Sequence, residues 1–307
     1  MTILVTGGAG FVGSNLVARL LQDKHRVVVL DDLFTGKVEN LPQVARCDFV
    51  LGSVADADLV SDLVSQTDLV FHLACRNIIV STKDPVEDRR VNIDGTLNVL
   101  QSARERKVKV VYTGSTSVYG NPKYLPVNED DGVHPLSPYA TSKLAGENYC
   151  TSFYETYGLP TAVVRYSNVY GVNQRPDNPY CGVVSKFFES VMAGLPPQIH
   201  GDGEQTRDFT YVSDAVEATI LAGFSPKSDG RVYNVSSGTE TRVGDVADRI
   251  IDICGQGVKP EYIDRRDIDN IRRRVCSIER IRRELRWTPR ITLDAGLRLT
   301  YEWLSGR

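Results

Sequence analysis

Tyr139 and Lys143, near the middle of the chain, have the types and spacing for proton transfer. They fall in Ser137-Pro-Tyr-Ala-Thr-Ser-Lys143, where a serine can cap a helix and a proline suits its first position. The spacing predicts Tyr139 in the first turn and Lys143 one turn on, over the same face. A free phenol ionises near pH ~10. A neighbouring ammonium and the positive end of a helix both favour the phenolate, bringing a tyrosine toward the range where it takes a proton from a hydroxyl. On its own, Tyr-x-x-x-Lys is more often a solvated helix face, so its meaning depends on its context.

That context begins at Thr6-Gly7-Gly8-Ala9-Gly10-Phe11-Val12-Gly13, directly after an apolar run and at the start of a helical pattern. Gly7, Gly10 and Gly13 permit a tight turn, close approach of backbone to a pyrophosphate, and close packing of helix on strand. The helix N-terminus presents unpaired N–H groups to an anion. Phe11 and Val12 belong to the same turn. Asp31 stands 18 positions beyond Gly13, at the end of the second apolar run, where it can accept hydrogen bonds from adenosine ribose hydroxyls. Its charge would repel a 2′-phosphate, which favours NAD over NADP, while Lys37 nearby pulls the other way. Asp32 is the lesser partner, better suited to a turn contact. An oxidised nicotinamide ring would add a third positive influence on Tyr139.

Short Val-rich runs at Thr2–Thr6, Arg26–Asp31, Cys47–Leu51, Asp68–Ala74, Val108–Thr113 and Thr161–Tyr166 predict strands covered on both faces. Helical spacing at Ser14–Leu21, Val86–Arg104 and Pro138–Tyr157 alternates with them. Such alternation predicts an α/β fold, a doubly wound parallel-sheet Rossmann domain over residues 1–170. Beyond it, helices at Gly182–Ala193, Val243–Ile253 and Leu293–Leu304, with strands at Arg207–Val212 and Val232–Val235, predict a smaller C-terminal α/β substrate lobe over 171–307. Strands from about 207–236 are expected to return to the main sheet.

The 307 residues are 41% hydrophobic and 24% charged, with a formal net charge of −3. That length buries a full core. The charge balance provides no basic field for nucleic acid or anionic lipid. Six cysteines lie far apart, with no C-x-x-C and no histidine at ligand spacing, which predicts free thiols and no metal site. His72 reads as a buried structural residue at a strand end. No apolar run approaches the ~20 residues of a membrane span. The chain enters a strand at Thr2, leaving no room for a signal peptide, so a cytoplasmic protein is expected.

The motifs TGGAGFVG at 6–13, HLAC at 72–75, VNIDGTLNVL at 91–100, STSVYG at 115–120, YATSK at 139–143, RYSNVYG at 165–171 and GDGEQTRDFTYVSDAVEA at 201–218 cover about two-thirds of the chain. In this order they resemble the extended short-chain dehydrogenase/reductase superfamily, specifically its nucleotide-sugar epimerase/dehydratase group. The resemblance implies NAD as cofactor, a UDP-linked sugar as substrate and a homodimer built on the helices at 86–104 and 138–157. It implies that Ser115 hydrogen-bonds the sugar hydroxyl and completes a triad with Tyr139 and Lys143, with Lys143 also holding the nicotinamide ribose. It places Ser53, Val54, Leu73, Ala74, Cys75 and Asn92 on cofactor-lining segments and Tyr166 beside the nicotinamide. Asn168 matches a contact to the substrate nucleotide or phosphate, and Arg207 the arginine that pairs with the diphosphate. Arg266 matches a second diphosphate arginine, in a turn whose family pattern is degenerate here.

Related sugar dehydratases carry Asp-Glu where this chain has Thr116-Ser117, and related decarboxylases carry a glutamate at the second position. Two hydroxyl residues can line a sugar pocket but shuttle no second proton. The resemblance therefore implies the simpler chemistry: a 4-epimerase of the UDP-glucose/UDP-galactose type working through a 4-keto sugar. Arg175, in Asn173-Gln-Arg-Pro-Asp177, matches an arginine that binds the sugar carboxylate in relatives acting on uronic acids, so a UDP-glucuronate 4-epimerase stands as an alternative. A dehydratase, decarboxylase or reductase is a second alternative. A non-enzymatic NAD-sensing module is the third, and it should have lost the Tyr/Lys pair. The arginines between 265 and 290 interleave with acids, as on a solvated face, with one left to reach the diphosphate.

Overall fold

The computed structural model describes residues 1–178, 182–265 and 270–306. In chain order the strands are β1 (Thr2–Thr6), β2 (Arg26–Asp31), β3 (Cys47–Leu51), β4 (Leu69–His72), β5 (Lys109–Ser115), β6 (Thr161–Tyr166), β7 (Asn168–Tyr170), β8 (Gln198–His200), β9 (Thr206–Tyr211), β10 (Arg231–Val235), β11 (Glu240–Arg242) and β12 (Glu261–Ile263). The helices are α1 (Phe11–Gln22), α2 (Ala57–Ser65), α3 (Ile78–Lys83), α4 (Pro85–Asp88), α5 (Gly95–Arg104), α6 (Pro138–Tyr157), α7 (Val183–Met192), α8 (Val212–Phe224), α9 (Val243–Cys254), α10 (Glu279–Leu285) and α11 (Leu293–Ser305).

The main sheet has seven strands in the order β10-β6-β5-β4-β1-β2-β3, every neighbouring pair parallel. The strand order reverses between β1 and β4, and in such sheets the crevice beyond the C-terminal strand ends at this switch is the ligand site. Both faces are covered, which is why these strands read as continuous apolar runs. One face packs on α2, α5 and α6 through residues such as Val60, Val99, Leu100 and Cys150. The other packs on α1 and α8, and its apolar cluster continues from Ile3 and Leu16 into Phe187, Phe188 and Ile250 of the C-terminal half. The two lobes share a core.

β10 joins the main sheet beside β6, whereas β9 forms a separate three-stranded sheet with β7 and β11. The expected helix over 86–104 is interrupted. Asp84 caps α4, and residues 89–94 then widen into a π-helical stretch before α5 resumes. That widening turns Asn92 inward, where its side chain is fully engaged. Helix α8 gave no periodic signal because nine of its thirteen residues are buried, leaving no polar stripe to mark a face.

Candidate active site

A cleft opens at the switch point, and the glycine turn forms its floor. Gly7 has φ +69°, and a Cβ there would lie 2.7 Å from Ala74 N; a Cβ on Gly13 would lie 2.1 Å from Gly7 O. Only glycine fits at either place, and the backbone they leave bare faces the cleft beside the first turn of α1. These are the features a pyrophosphate needs. NAD therefore fits the residues present.

Asp31, at the end of β2, is buried beside this turn. Its Oδ2 accepts from Ala9 N (2.9 Å) and its Oδ1 from Leu33 N (2.8 Å). Burial raises its pKa, and those two hydrogen bonds partly offset the rise. Each oxygen keeps a lone pair for a ribose hydroxyl. Asp32 also lines the cleft, accepts from Phe34 N (3.1 Å), and is ion-paired to Arg76 at 2.7 Å. Lys37, which left room for NADP, is bonded to Asp177 at 2.8 Å.

Gly10, Phe11, Val12, Ser53, Val54, Leu73, Ala74, Cys75 and Tyr166 all line the same cleft. Asn92 does not. It lies behind the wall, 1% exposed, accepting from Arg76 N (2.7 Å) and donating to Arg76 O (3.1 Å), Asp88 Oδ1 (2.6 Å) and Ser142 Oγ (3.1 Å). Its side chain braces Arg76, which is part of the wall.

Ser115, Tyr139 and Lys143 meet at the other end of the cleft. Ser137 Oγ accepts from Ala140 N (3.2 Å) and Pro138 opens α6, as the capping pattern predicts. Lys143 is 3% exposed, donates to Thr113 O (2.9 Å), and its Nζ lies 6.0 Å from the Tyr139 ring centre. The phenol is not drawn down by the protein alone. Burial raises its pKa most, Cys75 adds to the rise, and a hydrogen bond with Ser115 and the charge of Arg274 work against it. The Lys143 ammonium is bonded to that backbone carbonyl and not to the phenol.

Ser115 Oγ donates to Ser117 Oγ (3.0 Å) and accepts from Ser117 N (3.2 Å). Neither Thr116 nor Ser117 forms part of the cleft wall; Ser117 orients Ser115 instead. Asn168 and Arg207 lie in the β7–β9 sheet, where Asn168 is in register with Phe209 and sits between Ser167 and Val169 of the cleft wall. Arg207 is 8% exposed and donates to the carbonyls of Thr206 and Ile271, each at 2.8 Å. Arg175 is bonded to Asp177 and lies outside the cleft wall. Arg266 and Cys181 lie outside the described residues.

Sequence reasoning missed Arg76 and did not single out Arg274 within its cluster. Arg76 lines the cleft, paired with Asp32 and Glu87, with its guanidinium 4.3 Å over the Phe34 ring; nothing in its sequence neighbourhood marked it. Arg274 belongs to the 265–290 cluster, but it is 4% exposed where Arg272, Arg273, Arg282 and Arg283 form exposed ion pairs. Its apolar successors Val275 and Cys276 were the available signal.

Comparison with known proteins agrees with this geometry. The profile of the NAD dependent epimerase/dehydratase family matches residues 3–236. The chain is 40% identical to the UDP-glucose 4-epimerase of Mycolicibacterium smegmatis, over 100% of this chain and 99% of that one. The crystal structure of UDP-glucose 4-epimerase from Thermotoga maritima with UDP-glucose superposes with a TM-score of 0.95 at 36% identity, covering 100% and 99% of the two chains. The Thermus thermophilus UDP-glucose 4-epimerase complex with NAD does so with a TM-score of 0.91 at 35% identity, again covering 100% and 99%. The chain belongs to the NAD-dependent epimerase/dehydratase family and is an NAD-dependent enzyme.

Proposed function

We propose that the protein is a nucleotide-sugar 4-epimerase of the UDP-glucose/UDP-galactose type, an isomerase in which Ser115, Tyr139 and Lys143 act on the sugar. The observation that carries this reading is one cleft with the glycine turn and Asp31 at one end and Ser115, Tyr139 and Lys143 at the other. NAD, when bound, supplies the acceptor and then the donor of the C4 hydrogen, and a positive ring beside the phenol. Tyr139 takes the proton of the C4 hydroxyl and later returns one to the C4 oxygen. Ser115, oriented by Ser117, holds that oxygen within reach of the phenol. Lys143, anchored on Thr113, holds the nicotinamide ribose and adds positive charge behind the phenolate. The 4-keto sugar turns over between the two proton transfers, so the hydrogen returns to its other face. Gly7, Gly10 and Gly13 seat the pyrophosphate, and Asp31 the adenosine ribose.

Among the described residues the cleft wall carries two carboxylates, Asp31 and Asp32, both at the β2 end. Dehydration would need an acid and a base at the sugar end, so the wall favours epimerisation. Arg175 is already bonded to Asp177, which favours a neutral hexose over a uronate. Pairing of two copies through α5 and α6 belongs to the same proposal, and sedimentation at twice the chain mass would support it.

The test is to incubate the purified protein separately with UDP-glucose, UDP-N-acetylglucosamine and UDP-glucuronate. Fastest conversion of UDP-glucose to UDP-galactose is expected. Loss of water or CO₂, consumption of reduced cofactor in proportion to product, or preference for the uronate would overturn the assignment.

A further inference from the structure

A second polar assembly lies behind the catalytic residues. Arg165, on β6, is in register with Gly114, the residue before Ser115. Glu147, on α6, is one helical turn beyond Lys143. Both are 4% exposed. Arg165 Nε donates to Glu147 Oε2 at 2.8 Å and Nη2 donates to Oε1, a two-pronged pair that fixes direction as well as distance. Arg165 Nη1 also donates to Tyr119 Oη (2.6 Å), and Tyr119 donates to Asn234 Oδ1 (2.7 Å). Asn234 in turn donates through Nδ2 to Val127 O (3.1 Å) and Ser277 O (3.3 Å).

A buried ion pair is a poor way to gain stability, because desolvation cancels much of the attraction and an apolar pair of similar volume often does as well. The position of this one suggests another use. The buried stripe of α6 is Ala140, Ser142, Lys143, Gly146, Glu147, Cys150 and Phe153. Gly146 receives the Tyr112 ring of β5, where a Cβ would lie 2.4 Å from its Oη, and one residue on the Arg165–Glu147 pair ties the same helix to β6. A slip along that surface would carry Tyr139 and Lys143 away from Ser115.

We propose that Arg165 and Glu147 are positioning residues: their pair sets the register of α6 on the sheet, and Tyr119 and Asn234 extend that register to the C-terminal segment at Ser277. The proposal rests on Ser115, Tyr139 and Lys143 being the reacting group, as argued above. It accounts for a charged network whose side chains come from four separate segments around the site while lining no part of the cleft wall.

The test uses two variants of the whole protein, with UDP-glucose as substrate. Arg165→Met combined with Glu147→Leu replaces the pair by apolar side chains of similar size. Tyr119→Phe removes the one hydroxyl that joins Arg165 to Asn234. For the double variant the expected result is a kcat lower by about 10- to 100-fold, with KM and bound NAD within about twofold of wild type, because an ångström of misplacement acts on the chemical step. Its acidic limb in the kcat/KM pH profile is expected to move alkaline by about half a unit or more, since the phenol loses its alignment. Tyr119→Phe is expected to do the same to a smaller degree, about fivefold in kcat. A folded double variant with wild-type kcat and pH profile overturns the proposal. If the double variant does not fold, Tyr119→Phe decides, and an unchanged kcat there overturns it equally. Failure of the underlying reading is distinguishable: in that case Tyr139→Phe would itself retain activity.

Discussion

Tyr139, Asp31 and His72 can each be tested alone, the first two for chemistry and the third for stability. Tyr139 is held in its neutral form by burial, so proton uptake should limit turnover at low pH, and Tyr139→Phe should lower kcat at least ~100-fold with little change in nucleotide affinity. Steady-state kinetics with a parallel binding titration check this; unchanged turnover removes the phenol from the mechanism. Asp31 accepts from a backbone N–H on each of its oxygens, so Asp31→Asn drops the charge and keeps only one of those contacts, since its amide nitrogen cannot accept. The preference for NAD over NADP should narrow by about tenfold or more, and an unchanged ratio would mean that the carboxylate does not select. His72 is enclosed between Thr6 Oγ1 (2.7 Å) and Thr96 Oγ1 (3.0 Å), where burial, with the charge of Lys143, holds its pKa down to about 3. The unfolded chain binds a proton there below pH ~6.5 that the folded chain refuses, so stability falls as pH drops from 6.5 toward 3, by about 1.4 kcal/mol per unit. His72→Gln should flatten that acid slope in urea titrations by one proton's worth; an unchanged slope would place the loss elsewhere. At this scale the sequence was legible where a residue type has one use at one spacing, as with Gly7, Gly13, Asp31, Tyr139 and Lys143. It was not legible where a long side chain chooses its partner in space. Arg175, Arg76 and Arg274 look alike on paper, and only the fold sends one to Asp177, one to the cleft wall and one into the interior.

The elements that hold these residues were read most closely where both faces are buried. The bounds of β1, β2 and β6 match the apolar runs because a parallel strand under two helical layers has few polar positions to blur its ends; those of β3, a half-buried edge strand, match too. Helix α6 was legible from its cap: Ser137 and Pro138 announce the start, and Gly158 ends it at φ +62°. Ser137→Ala should cost about 1 kcal/mol of stability by chemical denaturation, and it should lower kcat more than it raises KM because Tyr139 lies two residues beyond the cap. Equal stability would mean that the cap bond to Ala140 contributes nothing. The break at residues 89–94 was illegible. It accompanies the contacts of the Asn92 side chain with Arg76 and Ser142, which are distant in sequence and which a periodic pattern does not carry. Helix α8 and strands β7, β8, β11 and β12 escaped for related reasons: one is apolar on nearly all sides, and the others are three-residue strands defined by their partners.

For the molecule as a whole, the decisive fact is that the apolar cluster crosses from the dinucleotide half into the C-terminal half, through Tyr170, Phe188, Phe209 and Ile250. The halves should therefore unfold together. Calorimetry should show a single transition, raised by NAD by about 2.7 kcal/mol of stability when the nucleotide is present at 100 times its Kd. Two separated transitions would contradict a shared core. That continuity also brings the glycine turn of the first helix and the phenol of the sixth to opposite ends of one cleft, and on this the proposed reaction depends. The most direct measurement follows UDP-glucose carrying deuterium at C4 through many turnovers in ordinary water. The product should be UDP-galactose with the deuterium still at C4, because the same hydrogen leaves and returns within the closed site. Deuterium lost to solvent, or found at C6 of a dehydrated sugar, would contradict the account.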